Sequence, residues 1–126
     1  MNPPSGKIGY LQKRTKHGKI CKSDVVVVLF PFSDLTQAKR RPALVLAELT
    51  GGDLILSQIT SQDIKDDYSV PLDTEEFESG NLNKKSNIRP NRIFTADQKI
   101  LLYKVGHLKK EKIEETISRL IDILNK

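Results

Sequence analysis

DVVVVLF, residues 24–30, is the stretch on which the fold class turns. Four consecutive valines lose side-chain freedom against the turns of a helix, whereas branched side chains pack well on a pleated surface. The run therefore reads as a buried β-strand. Pro31 and the polar stretch Ser33 to Arg40 end it. Pro42 restricts Arg41 to an extended conformation, and Ala43 to Leu46 begins a second buried strand. Gly51-Gly52-Asp53 signals a tight turn, so Leu54 to Ser61 is expected to return as the other arm of a hairpin.

Outward from this hairpin the charge segregates. Between Asp63 and Glu78 seven acids face one cation, Lys65, with a weak strand at Ser69 to Leu72 inside the stretch. From Lys84 to Lys112 nine cations stand against Asp97 and Glu111. Ser86 to Phe94 reads as a strand, Thr95 to Gln98 as a capping box opening one helical turn, and Leu101 to Leu108 as a further strand. At the end, Ile113, Ile117, Leu120, Ile121 and Leu124 fall on one face of an α-helix, with Glu115 placed to pair with Arg119 on its surface. Several strands followed by one helix argue for an α+β, mainly β fold rather than alternating βαβ units. The expectation is a small, strongly bent antiparallel sheet or barrel with a C-terminal helix packed against it.

The chain has 126 residues and 37% hydrophobic content, enough for one core. Its net charge of +5 is unevenly spread. Six cations and no acid lie in residues 1–23, leaving 15 cations against 16 acids in the remainder. Residues 1–22 thus read as a basic, flexible extension and 23–126 as the folded domain. One cysteine, Cys21, rules out an internal disulfide framework and leaves too few thiols for a cysteine-based zinc site, and a reducing cytoplasm is the expected location. No run approaches the ~20 apolar residues that span a bilayer. The sequence has no phosphate-binding glycine loop, no HExxH and no calcium-type acidic loop, so neither metal nor cofactor is expected. His17 lies in the extension, and His107 reads as a structural histidine.

An enzyme with this inventory must draw on Arg, Lys, Ser, Thr and Asp, or on a reactive group of its substrate. RNA brings such a group, the 2′-hydroxyl. A ribonuclease needs only cationic and hydrogen-bonding groups around the scissile phosphate, and arginine suits the task because it binds phosphate bidentately and keeps its charge.

Three stretches resemble the MazF/PemK family of toxin–antitoxin endoribonucleases: DVVVVLFPFSDL (24–35) followed by KRRPALVL (39–46), ILSQITSQ (55–62), and SNIRPNRIFTAD (86–97) followed by KVGHL (104–108) and a terminal helix. The resemblance runs from about residue 23 to the end and rests on the order and spacing of these motifs. It implies an SH3-like barrel or strongly curved antiparallel sheet, assembled as a homodimer. It also implies metal-independent cleavage of single-stranded mRNA to 2′,3′-cyclic phosphate and 5′-hydroxyl ends.

On this resemblance Arg41 stabilises the transition state and Thr60, with Ser61 beside it, hydrogen-bonds the phosphate. Lys39, Arg40 and Arg89 hold the RNA backbone, and Asn91 also binds the RNA. Where some relatives carry a carboxylate base, this chain has Asn91, and the 33–40 loop has no histidine. Asp34, the only carboxylate of that loop, is the candidate substitute base. The implied partners are a cognate antitoxin with an acidic disordered segment and, jointly with it, operator DNA, but no membrane. Two other readings stand beside this one: a toxin of the same fold that poisons DNA gyrase, and a catalytically decayed toxin acting as a nucleic-acid-binding regulator.

Overall fold

The computed structural model describes residues 18–31 and 38–126. Seven strands form one sheet: β1 (Asp24–Pro31), β2 (Ala38–Glu48), β3 (Asp53–Thr60), β4 (Val70–Leu72), β5 (Phe77–Gly80), β6 (Ser86–Asp97) and β7 (Leu101–Leu108). Their order across the sheet is β4-β6-β3-β2-β1-β7-β5, and every neighbouring pair is antiparallel. One helix, α1 (Lys110–Leu124), follows.

The valine run fills both faces of the sheet. Val25 belongs to a core cluster with Leu44, Ile59, Val70, Leu72, Phe77 and Ile88, which Ile113 of α1 joins. Val26 and Val28 belong to a second cluster with Val45, Leu54, Leu56 and Leu101 on the opposite face. Two buried faces explain why β1 does not alternate apolar with polar, and burial of each valine contributes roughly 1.5–3 kcal/mol. Register shifts interrupt the β1–β7, β2–β3, β3–β6 and β5–β7 pairings. Such bulges bend strands and strengthen twist, curling the sheet into a half-barrel.

The largest shift leaves Pro90, Asn91 and Arg92 of β6 outside the pairing with β3, because Ser57 aligns with Ile93 while Gln58 aligns with Arg89. The buried Ser57 closes the gap by donating its hydroxyl to the Arg89 carbonyl at 2.6 Å.

Several expectations need correction. Lys39 and Arg40 belong to β2, not to a loop, since pairing with β1 runs out to Phe30↔Lys39. The helical turn after β6 is capped by Asp97, which accepts the Lys99 amide at 2.8 Å, while Thr95 and Ala96 stay in the strand. In α1, Ile113 is buried and Ile117 and Leu120 pack on the core, but Ile121 and Leu124 are exposed at 51% and 71%. The last turn carries these two residues away from the core cluster. Glu115 pairs with Lys112 at 2.9 Å instead of Arg119, whose guanidinium donates to the Asp67 and Ser69 carbonyls.

β5 has no counterpart in the sequence reading. It is made by tertiary fit: a Cβ on Gly80 (φ +69°) would collide with the Val105 carbonyl of β7. At the other end, Ile20 is buried in the second core cluster, so part of residues 1–22 packs on the body. Residues 1–17, including His17, lie outside the described residues.

Candidate nucleic-acid cleft

The site is made where the end of β3 meets the early part of β2, beside the middle of β1. Val27 pairs with Pro42 on one side and Tyr103 on the other. The β2–β3 register contains Ala43↔Gln58; continued outward by two residues, it sets Arg41 against Thr60. Arg41 and Thr60 both line a cleft of about 290 Å³. Val27, Pro42 and Ile59 also line it, with Val27 and Ile59 buried. Arg40, Ser61 and Lys84 bring polar groups, Leu82 and Ser86 extend the wall, and Tyr103 contributes a ring from β7. Arg40, Arg41 and Lys84 are cations, and no described lining residue is an acid.

Local geometry orients the hydroxyl. Thr60 Oγ1 accepts the Gln62 backbone N–H at 3.2 Å, a turn bond that engages one lone pair and leaves the hydroxyl proton to be donated elsewhere. The segment after Thr60 is tied down at several points. Asn87 donates its side-chain amide to the Gln62 carbonyl at 3.1 Å, and Arg119 of α1 holds the Asp67 and Ser69 carbonyls. Asp66 accepts the Tyr68 and Ser69 amides and faces Arg89 at 3.5 Å. The Tyr68 amide first, then the Ser69 amide and the Arg89 guanidinium, hold the Asp66 carboxyl below its ordinary value.

Of the residues expected to act, Arg41, Thr60, Arg40 and Ser61 come together. Arg89 does not line the cleft; it faces Asp66, and its buried Nε–H lacks an acceptor among the described residues. Asn91 is exposed in the β6 bulge, and Lys39 is exposed beside Arg40, outside the lining. Asp34 lies outside the described residues. Tyr103, Lys84 and Leu82 were missed. Nothing local marks them, because the curl of the sheet brings them to Arg41. Three acids of residues 63–78 hold local structure: Asp66 in the turn before β4, and Asp73 and Glu76 in the cap of the turn before β5.

A sequence-family model described as PemK-like, MazF-like toxin of type II toxin–antitoxin system matches residues 22–124. No curated protein matches the chain in sequence. Solved structures with similar folds include a MazE–MazF complex from Deinococcus radiodurans, at TM-score 0.67 and 17% identity over 84% of this chain and 96% of that one. Another is an endoribonuclease in complex with its cognate antitoxin from a mycobacterial species, at TM-score 0.66 and 13% identity over 85% and 96%. A third is the Mycobacterium tuberculosis toxin MazF-mt6, at TM-score 0.61 and 16% identity over 79% and 96%. At these identities the likeness establishes the fold. Among the described residues no helix is long and apolar enough to cross a membrane.

Proposed function

Because the chain belongs to the PemK-like, MazF-like toxin family of type II toxin–antitoxin systems, we propose that it is a toxin that cleaves single-stranded RNA in the Arg41–Thr60 cleft. The observation that carries this reading is a cleft with three cations, a hydroxyl and an aromatic ring, and no acid among its described lining residues. A phosphodiester is the group such a lining would take.

In the proposed reaction the 2′-oxygen attacks phosphorus, the bond to the 5′-oxygen breaks, and that oxygen takes a proton from solvent, so the ends are a 2′,3′-cyclic phosphate and a 5′-hydroxyl. Arg41 stabilises the negative charge that gathers on the phosphate oxygens, a role worth about 3–4 kcal/mol for a well-placed donor. Thr60 donates a hydrogen bond from its hydroxyl to one of those oxygens, while one of its lone pairs is held by the Gln62 amide. Arg40 and Lys84 hold neighbouring phosphates, and Tyr103, 44% exposed, offers a face for a base. Asp34 remains the proposed acceptor of the 2′-proton. A homodimer, and an antitoxin whose acidic segment occupies the same cations, complete the proposal.

The direct test is incubation with single-stranded RNA and with DNA of the same sequence in EDTA, followed by end-group analysis. Cyclic phosphate ends from RNA alone are expected; cleavage that requires an added divalent metal would overturn the reading. The absence of a carboxylate among the described cleft residues favours a second reading, an RNA-binding member of the family without turnover. Tight RNA binding with no cleavage would select it.

A further inference from the structure

At the start of β1, away from the residues that line the cleft, Cys21, Asp24 and His107 bring a thiol, a carboxylate and an imidazole together, with one donor atom from each within 4.8 Å of the others. From these we infer that Cys21, Asp24 and His107 form a binding site for a single divalent transition-metal ion of the zinc type. Sequence reading expects no metal here, because the imidazole lies 83 positions from the carboxylate and only the β1–β7 pairing Asp24↔His107 unites them.

The donor set is the first argument. Thiolate, imidazole and carboxylate are the three protein ligands of zinc, at about 2.0–2.3 Å. Around a tetrahedral ion they stand roughly 3.3–3.6 Å apart. The Asp24 Oδ1–His107 Nδ1 separation is 2.7 Å, so the ion enters by opening one hydrogen bond slightly and drawing the thiol inward. Magnesium and calcium, which require six or more oxygens, do not fit.

The second argument is rigidity. Asp24 is fully buried, and its Oδ2 accepts the Cys21 amide at 2.8 Å. The turn is closed by the Asp24 amide on the Cys21 carbonyl and fixed to the sheet through Ser23 N–H on Val45 and Leu108 N–H on Ser23. Cys21 and His107 are half-buried, so the site is reachable.

The third is the surroundings. Glu78 Oε1 lies 3.9 Å from His107 Nε2, the ring nitrogen the metal would not use; this is beyond hydrogen-bond distance, but a small shift of the exposed Glu78 side chain would bring it onto the ring N–H, where a carboxylate orients a metal-binding histidine. Binding replaces the thiol proton, released to solvent, by an S–metal bond. Lys104 Nζ opposes the ion, lying 3.3 Å from Asp24 Oδ1, but its side chain is 36% exposed and has solvent to move into. Lys104 is therefore a built-in competitor.

The experiment uses the full chain stripped with EDTA and then titrated with Co²⁺, with Zn²⁺ as competitor. Expected is a thiolate-to-cobalt charge-transfer band saturating at one equivalent and displaced by Zn²⁺. Cys21→Ser, which keeps a hydroxyl donor for Asp24, abolishes the band, and His107→Gln abolishes or strongly weakens it. Glu78→Gln weakens Zn²⁺ binding about tenfold, Lys104→Gln strengthens it several-fold, and His17→Gln leaves it unchanged. Far-ultraviolet circular dichroism on each metal-free variant separates lost binding from lost folding, and Cys21→Ser alone decides the matter if His107→Gln does not fold. No thiolate band at one equivalent, a band retained in Cys21→Ser, or weaker binding in Lys104→Gln would overturn the site.

Discussion

The start and the middle of β1 solve opposite problems with charge. At its start, Asp24 is completely buried and its carboxylate is met by the Cys21 amide, His107 and Lys104, so charge is enclosed and answered from within the chain. Three residues along, Val27 opens onto a cleft where Arg40, Arg41 and Lys84 gather with no acid among the described lining. A buried charge with a full set of donors serves the fold. Three cations gathered on one cleft suit the polyanion proposed as substrate. Conformational stability is therefore concentrated at the start of the strand, and the proposed chemistry beside its middle.

The most damaging change on the structural side is Asp24→Ala. It leaves three donors without their acceptor and is expected to cost about 3–5 kcal/mol in denaturant unfolding. A loss under about 1 kcal/mol would mean that this end is not the anchor. Ile20→Ala follows. Removing a fully buried side chain from the second cluster costs about 2–4 kcal/mol, so deletion of 1–22 should lower the melting temperature clearly more than deletion of 1–17. Equal effects of the two deletions would show that Ile20 does not hold the body together.

At the cleft, Tyr103→Ala should weaken binding of a short single-stranded RNA by about 1–3 kcal/mol, with Tyr103→Phe nearly neutral. The same loss in both variants would point to the hydroxyl rather than the ring. The smallest expected effect concerns the segment behind Thr60. Because the folded state holds the Asp66 carboxyl below its ordinary value, its contribution is present above the unfolded-state value near 3.9 and fades as pH falls through the folded one. Asp66→Asn should therefore lower the melting temperature slightly at pH 7 and make no difference at strongly acidic pH.

What could be read from the chain follows from how local each signal is. Val25 to Val28 announce a strand by their own shape, Gly51-Gly52-Asp53 a reversal, and Ile113, Ile117 and Leu120 a helix face. Arg41 and Thr60 were legible as a pair through motif order, and adjacent strands bring them to one cleft. β5 was not legible: Phe77-Glu-Ser-Gly80 has little strand character and exists because Gly80 lets the chain approach Val105. Tyr103 and Lys84 have no local mark, since only the curl of the sheet carries them to the cleft. The union of Cys21 and Asp24 with His107 is invisible for the same reason.

The central claim is that the Arg41 guanidinium of β2 and the Thr60 hydroxyl at the end of β3 act together on one phosphodiester. Single-turnover cleavage of a defined single-stranded RNA by Arg41→Ala, with the melting temperature measured on the same preparation, tests it most directly. A rate about 100- to 1,000-fold below the parent chain with an unchanged melting temperature is predicted. Cleavage at the parental rate by a folded Arg41→Ala protein would contradict it.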